Sequence, residues 1–198
     1  KYVGEYFASE RSGFGKFEYN DGNVYIGMWV KDQKHGFGRL QWSNGNVFSG
    51  EWQADEMTGY GVFAYANKNE YKAGEWIDDM RSGNGTMTHP NGDIYTGAWQ
   101  MDMREGSGTC RHANGKGDEY SGEWMQDKKH GFGKYMWADG DVYEGEWKDD
   151  MRNGHGTCFY SNRDEYVGSW VNDQRHGWGR LAWADGNTYE GLWKNDNI

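Results

Sequence analysis

The sequence predicts an all-β protein, built as an elongated single-layer antiparallel meander of consecutive β-hairpins. Three observations predict it. A Tyr-x-Gly-x-Trp phrase returns about every 23 residues, a Gly-x-Gly pair begins nine residues after the glycine of each full phrase, and Asn-Gly or Asp-Gly pairs lie between most repeats. Glycine, tyrosine and tryptophan are abundant, with 32, 14 and 12 residues, whereas proline occurs once. Aromatic rings must therefore supply the buried surface, because each ring buries a large area.

The period divides residues 1–198 into one array of eight full repeats and a partial ninth. Internal repeats of this length are typical of arrays in which each unit contacts its neighbours. Seventeen strands at about 4.8 Å each would give a ribbon on the order of 80 Å long. The repeats begin at Tyr2, Tyr25, Phe48, Tyr71, Tyr95, Tyr120, Tyr143, Tyr166 and Tyr189.

Each repeat is predicted to be a hairpin because both of its connections are short. Pairs such as Asp21-Gly22 and Asn44-Gly45 accept the positive φ of a type I′ turn. The other connection, residues 30–35, is also short. Two short connections in each repeat require antiparallel neighbours.

Alternation along the strands assigns the aromatic residues to one face. Glycine between two rings leaves a shallow seat in the sheet on which a ring can lie, and Gly36 and Gly38 are predicted to share one face. The opposite face, which includes Glu51 and Glu146, is predicted to be solvated. A single sheet has no second layer, so its aromatic face is predicted to be an interaction surface. The residues that define this pattern are Tyr25, Gly27, Trp29, Gly36 and Gly38, and again Tyr143, Gly145, Trp147, Gly154 and Gly156.

The phrase YxGxW…GxG…DGxxY at this period resembles the MORN (membrane occupation and recognition nexus) repeat over the whole chain. The resemblance implies consecutive hairpins in a long single sheet. It also implies a scaffold similar to the MORN-only proteins of protist cytoskeletal collars and rings, which lie in the cytoplasm on the cytoskeleton beneath a membrane. Departures are local: an extra residue, Lys72 or Ala73, predicts a bulge, and the turn around Lys116-Gly117 is longer than the others.

Charge and motif content argue against several functions. The net charge of −10 disfavours nucleic-acid partners. No apolar run approaches the roughly 18 residues of a membrane span. Gly-x-Gly is periodic and lies in strands, so it is not a phosphate loop, and no nucleophile has a base at a catalytic spacing. We therefore expect no enzymatic activity and no cofactor.

A column of bases suggests lipid binding as an alternative. A base lies two residues before Gly-x-Gly in most repeats, and such a line of cations can meet phosphoinositide head groups. The competing interpretation is structural, with an Asx-type turn whose aspartate, three residues after the tryptophan, binds loop amides and pairs with the base. The candidate lipid-binding residues are Arg81, Arg104, Lys129, Arg152 and Arg175.

The two cysteines suggest either packing or a metal. Cys110 and Cys158 are four strands apart, roughly 19 Å, which exceeds the reach of a disulfide. Two cysteines are too few for a disulfide framework, which favours a reducing compartment. Both would serve as small buried hydrophobes. In a symmetric dimer, however, Cys110, His112 and Cys158 from two chains could hold Zn²⁺.

The sequence thus predicts a non-enzymatic scaffold that forms a homodimer through its later repeats, from about Tyr120, and recruits cytoskeletal partner proteins. Closed two-fold dimers are the usual form of self-association. Two alternatives stay open. One is a module that binds phosphoinositides or anionic membranes, and the other is a groove that holds a partner helix.

Overall fold

The computed structural model describes residues 1–113 and 117–198, without the side chain of Ala73. The described residues form seventeen strands and no helix. Two turn predictions, at Asn114-Gly115 and around Lys116, lie outside the described residues. The strands are β1 (Tyr2–Phe7), β2 (Glu10–Glu18), β3 (Val24–Val30), β4 (Gln33–Gln41), β5 (Val47–Gln53), β6 (Glu56–Ala64), β7 (Glu70–Ile77), β8 (Met80–Thr88), β9 (Ile94–Gln100), β10 (Met103–Arg111), β11 (Glu119–Met125), β12 (Lys128–Met136), β13 (Val142–Lys148), β14 (Met151–Phe159), β15 (Glu165–Val171), β16 (Gln174–Ala182) and β17 (Thr188–Trp193).

The chain forms two compact units. The N-terminal unit contains residues 1–90 and 98–102, and the C-terminal unit contains residues 91–97 and 103–198. Within the N-terminal unit, β1 to β8 pair consecutively and antiparallel. Within the C-terminal unit, β10 to β17 do the same. The predicted all-β class, a single-layer antiparallel meander of hairpins, is confirmed in each unit.

The Asn-Gly and Asp-Gly loops are not the type I′ turns that the sequence predicted. The type I′ turns are the short loops after each tryptophan, where Lys31 and Asp32 have φ of 49° and 66°. In the Asp-Gly loops only the glycine is left-handed: Gly22 has φ of 89°, its N–H donates to Tyr19 O at 3.2 Å, and Tyr19 N–H donates to Asn23 O at 2.9 Å. This is a three-residue loop, a type I turn followed by a bulge glycine.

The predicted ring seats are confirmed. Tyr25 and Trp29 are buried, and their rings meet edge to face at 5.0 Å. A Cβ placed on Gly27 would lie 2.5 Å from the Tyr25 hydroxyl, and one on Gly38 would lie 2.1 Å from it. The Tyr25 hydroxyl donates to Met28 O at 3.1 Å. Glycine is needed here because the tyrosine ring occupies the space that a side chain would fill.

The first glycine of Gly-x-Gly has a different role, which corrects the prediction that Gly36 and Gly38 share one face. Gly27 pairs with Gly38 but Met28 pairs with His35, so β4 carries extra residues at this point. Gly36 has φ of 58°, and Gly154 has φ of 87° in the same position. The first glycine therefore makes a β-bulge, in which a positive φ favours glycine, and only the second is a ring seat.

The bulge predicted at Lys72 or Ala73 is confirmed by the pairing of β7 with β6. Gly61 pairs with Gly74 and Phe63 with Tyr71, so β7 has one residue more than β6 between these pairs. The bulge has a local cost. The Tyr71 hydroxyl and the Trp76 indole N–H are buried and have no hydrogen-bond partner among the described residues. In other repeats the same two groups bond to backbone carbonyls, as Trp52 Nε1 does to Gly38 O at 3.2 Å.

Candidate functional site

The aromatic face is closed by its own side chains. Within the N-terminal unit, the Trp52 ring meets Phe48 of its own repeat at 5.2 Å and Tyr25 of the preceding repeat at 5.5 Å, both edge to face. Trp52 is 3% exposed. The prediction that this face is an exposed interaction strip is therefore wrong for most tyrosines and tryptophans of the Tyr-x-Gly-x-Trp phrase, because rings of the same and the neighbouring repeat cover them.

The column of bases lies over the same rings. The Arg81 guanidinium stands 4.2 Å above the Trp99 ring, and its Nε lies 2.8 Å from Asp102 Oδ1. Asp102 belongs to the next repeat, so the base does not pair with an aspartate of its own loop. The Arg81 backbone N–H also donates to Asp102 Oδ1, at 3.0 Å. The corresponding pairs are Arg11–Asp32, Arg81–Asp102, Arg104–Asp127, Arg152–Asp173 and Arg175–Asp196.

Lysine takes the same place in two repeats. Lys129 Nζ lies 4.6 Å above the Trp147 ring, and its backbone N–H donates to Asp150 Oδ1 at 2.9 Å. Burial lowers the pKa of Lys129, and the nearby Asp150 opposes that shift. All five candidate lipid-binding residues are thus stacked on a tryptophan and bonded to an aspartate. This geometry favours the structural interpretation of the column, and lipid binding stays a prediction.

The cysteines are buried and free. Burial raises the pKa of both thiols. Cys110 Sγ lies 3.8 Å from His112 Nε2, and His112 Nδ1 lies 3.2 Å from Asp93 Oδ2. Among the described residues no group of three or more His, Cys, Asp or Glu side chains is arranged to hold a metal ion. A zinc site on Cys110, His112 and Cys158 therefore requires a second chain, as the sequence predicted, and stays a prediction.

The face opposite the packed rings carries exposed aromatic residues in the N-terminal unit. Phe14, Phe37 and Tyr60 are 57%, 70% and 60% exposed. Each is the central residue of a Gly-x-Gly, on β2, β4 and β6 respectively. We call these three residues the aromatic row. Exposed apolar side chains in a contiguous group mark interaction surfaces.

A groove runs beside the aromatic row and crosses the strands. Its floor is the backbone of the seat glycines, which have no side chain to fill it. Ile26, Arg39, Ser49 and Val62 stand on the far side and are cross-strand neighbours in that order. The groove encloses about 580 Å³ and is lined mainly by apolar atoms. Its lining residues are Phe14, Ile26, Gly27, Phe37, Gly38, Arg39, Ser49, Gly50, Tyr60, Gly61 and Val62. We call it the apolar groove.

Glutamates of this face cap two of the three bulges of the row, those before Phe14 and Tyr60, which corrects the prediction that they are simply solvated. The Glu51 carboxylate accepts the backbone N–H of Tyr60 at 3.2 Å. A Cβ on Gly59 would lie 2.7 Å from that carboxylate. In the C-terminal unit, Glu146 accepts the N–H of His155 at 2.9 Å. The carboxylate therefore fixes the direction of the residue that follows the bulge glycine.

The corresponding groove of the C-terminal unit is more polar. The central residues of Gly-x-Gly in this unit are Ser107, Phe132, His155 and Trp178. Thr109, Ser121, Lys134 and Glu144 are cross-strand neighbours in that order on its far side. There Thr109 Oγ1 donates to Ser121 Oγ at 3.2 Å, and Lys134 Nζ lies 2.8 Å from Glu144 Oε1. This groove has about 700 Å³. The two units thus share the packed face and differ in the chemistry of the open face.

The aromatic row was not among the candidate residues from the sequence. One signal was present, since the centre of Gly-x-Gly is aromatic in five repeats. Strand alternation places this residue on the face opposite the ring seats, because it directly precedes the second glycine.

Comparisons with known proteins identify the repeat. The MORN repeat profile matches eight consecutive stretches: 2–24, 25–47, 48–70, 73–94, 95–117, 120–142, 143–165 and 166–188. No curated protein matches the chain. Within the described ranges, no helical segment has the length and apolarity to cross a bilayer.

Three solved structures are similar at low identity. The TCP domain of Drosophila melanogaster SAS-4 (dCPAP), in complex with a proline-rich motif of Ana2 (dSTIL), is 12% identical, with 91% of this chain and 90% of that chain covered and a TM-score of 0.48. The G-box domain of the microcephaly protein CPAP is 10% identical, with 92% and 100% covered and a TM-score of 0.49. The TCP10 domain of Danio rerio CPAP is 12% identical, with 91% and 90% covered and a TM-score of 0.40.

Proposed function

The chain belongs to the MORN repeat family, and from this premise we propose that it is a non-enzymatic scaffold that recruits a partner protein through the apolar groove of its N-terminal unit. MORN repeats are generally scaffolds for interactions with proteins or membranes. The observation that carries the proposal is the aromatic row, three rings that are 57–70% exposed, two of which follow bulges capped by Glu5 and Glu51. Exposed aromatic residues on a rigid element are the usual anchors of protein interfaces.

The packed face supports this choice of surface. The tryptophans of its Tyr-x-Gly-x-Trp phrases are buried, and its bases are bonded to aspartates of the next repeat. A partner would have to break those ion pairs to reach the rings. The apolar groove needs no such rearrangement, because its side chains are already exposed.

An unbiased peptide selection tests the proposal. Random peptides displayed on phage are selected on the full chain and then rescreened on a Phe37→Ala variant and on a matched Phe132→Ala variant of the C-terminal unit. We expect selected peptides to lose binding to the Phe37 variant and to keep it on the Phe132 variant. If no selected peptide depends on Phe37, the groove is not the docking surface.

Self-association through the later repeats is the second part of the proposal. Trp178 and Leu192 are cross-strand neighbours on β16 and β17 and are 60% and 68% exposed. Such a pair can form the centre of a two-fold contact. Light scattering should give twice the 22.8 kDa chain mass for the wild type and for a Phe37→Ser control, and the single mass for a Trp178→Ser/Leu192→Ser variant. If the wild type is a monomer, the proposed homodimer is wrong, and so is the inter-chain zinc site that depends on it.

The proposed setting is a membrane-associated cytoskeletal assembly in the cytoplasm, supported by the family alone. Retention of the tagged chain in detergent-extracted cytoskeletons would support it, and complete extraction would contradict it.

The competing function is direct phosphoinositide binding. Flotation with phosphoinositide liposomes at physiological salt distinguishes the two, since an Arg81/Arg104/Arg152/Arg175→Ala variant would lose flotation only if the bases bind lipid.

A further inference from the structure

The apolar groove has the dimensions and chemistry of a site for a proline-rich segment. We propose that its partner docks as a polyproline II helix laid across β2 to β6, with one residue of each turn against one ring of the aromatic row. This inference rests on the proposed function and adds the chemical class of the partner.

The spacing of the aromatic row is the first argument. Phe14, Phe37 and Tyr60 stand on alternate strands, and strands lie 4.7–4.9 Å apart, so neighbouring rings repeat at about 9.6 Å. A polyproline II helix has three residues per turn and rises 3.1 Å per residue, so it repeats at about 9.3 Å. The mismatch stays below about 1 Å over the whole row.

The repeat distances of other backbone conformations do not match the spacing of the aromatic row. In an α-helix the residue that returns to the same face after two turns lies about 10.5 Å away, so the mismatch grows to nearly 2 Å over the row. In an extended strand the same face returns at about 6.7 Å, which is not commensurate with 9.6 Å. A partner helix, the alternative left open by the sequence, is therefore the poorer fit to this groove.

The groove chemistry is the second argument. Proline-rich segments dock in grooves lined by aromatic rings. Their backbone carbonyls have no internal hydrogen bonds and need donors from the site. The far side of the groove supplies the Ser49 hydroxyl and the Arg39 guanidinium. The Tyr60 hydroxyl in the row already donates to Glu75 Oε1 at 3.4 Å. The far side thus provides donors next to an apolar centre.

Charge refines the partner further. Arg39 is exposed, and among the described residues no carboxylate lies within ion-pair distance of it; its guanidinium instead donates to Gln41 Oε1 at 3.3 Å. Lys16 on the same face is already paired with Glu18 at 2.6 Å. Arg39 is therefore available to an acidic residue next to the prolines of the partner. The occupant is not a second copy of this chain, whose sequence contains one proline, Pro90.

Fluorescence anisotropy with the full chain tests the inference. The probe is a labelled peptide of about twelve residues, mostly L-proline, with one central aspartate. The comparison peptides alternate L- and D-proline, which prevents the polyproline II helix, or form an amphipathic helix with leucine at every seventh position. We expect only the L-proline peptide to bind, with affinity reduced about tenfold or more by Phe37→Ala or Phe14→Ala, as for an interface anchor. Phe132→Ala should leave it within about twofold.

Arg39→Gln is the charge test. The substitution should weaken binding of the aspartate peptide several-fold and leave the affinity of the matching asparagine peptide unchanged, because only the first peptide has a carboxylate that can pair with Arg39. The inference is overturned if the helical peptide binds through Phe37 and the proline peptide does not, or if Phe37→Ala and Phe132→Ala weaken the proline peptide equally. The phage selection tests the groove independently. If the selected peptides depend on Phe37 but contain no proline, the groove is still the docking surface, and the proposal of a polyproline II partner is wrong.

Discussion

The two units have the same packed face and different open faces. In both units a tyrosine rests on paired glycines, a tryptophan lies between tyrosines, and a base covers the tryptophan, as seen at Tyr25 and at Tyr143. On the open face the centres of Gly-x-Gly are Phe14, Phe37, Tyr60 and Asn84 in the N-terminal unit and Ser107, Phe132, His155 and Trp178 in the C-terminal unit, so only the first unit has three consecutive Phe or Tyr side chains. The comparison teaches that the residues that stabilise the sheet lie on the packed face, and the candidate recognition residues lie on the open face. The packed face must repeat, whereas the residue between the two glycines is free to vary.

The largest effect is expected from filling a ring seat, and it should be the same in both units. A Cβ on Gly27 or on Gly145 would lie 2.5 Å from the hydroxyl of its own tyrosine. Gly27→Val and Gly145→Val should each lower the stability by about 3 kcal/mol through overpacking. Thermal denaturation followed by circular dichroism measures this, with Ser49→Val on the open face as the control. Loss from only one of the two substitutions would contradict a shared packed face.

The second effect concerns a defect found in the N-terminal unit. In the fourth repeat, which has the extra residue, the Tyr71 hydroxyl and the Trp76 N–H find no hydrogen-bond partner in the part of the chain that the structure describes. Deletion of Lys72 restores the Tyr-x-Gly-x-Trp spacing and should let both groups bond to backbone carbonyls. Because an unpaired buried donor costs about 1–3 kcal/mol, we expect a gain of about 2 kcal/mol in urea unfolding. Deletion of Val167 at the matching position of the C-terminal unit is the control, and it should destabilise.

The third prediction transfers recognition from one open face to the other. Ser107→Phe/His155→Phe gives the C-terminal unit four consecutive aromatic residues at the centres of Gly-x-Gly, at positions 107, 132, 155 and 178. If the aromatic row binds proline-rich segments, calorimetry with the L-proline peptide should show about one added site per chain, within about tenfold of the natural affinity, or about 1.4 kcal/mol. Unchanged stoichiometry would mean that the walls of the groove, rather than the row, determine binding.

The smallest effect is expected at two turns that lack glycine. Lys68 and Arg163 have φ of 71° and 74°, one in each unit, at the position where Gly22 and Gly45 stand in other repeats. A left-handed conformation costs a residue other than glycine about 1 kcal/mol. Lys68→Gly and Arg163→Gly should therefore each raise the stability by somewhat less than 1 kcal/mol, since glycine also gains freedom in the unfolded chain. A loss of stability on either substitution would show that the side chain contributes more than the strain removes.

The sequence by itself determined the repeat, the hairpins, the antiparallel pairing and the ring seats. These features depend on the period near 23 residues and on the alternation of side chains along the strands. Both can be measured directly in the sequence. The glycine between Tyr25 and Trp29 can be interpreted without coordinates because its neighbours in sequence are also its neighbours in space.

Only the tertiary structure decided which face is open and which residues meet across repeats. The bulge at Gly36 removes the first glycine from the row of ring seats, and Glu51 accepts the backbone N–H of Tyr60 at the next bulge. The pairing of Arg81 with Asp102 joins residues 21 positions apart, because the tight turn after each tryptophan places its aspartate beside the preceding repeat. Backbone shifts of one residue reverse the direction of a side chain, and no composition or period reveals where such a shift occurs.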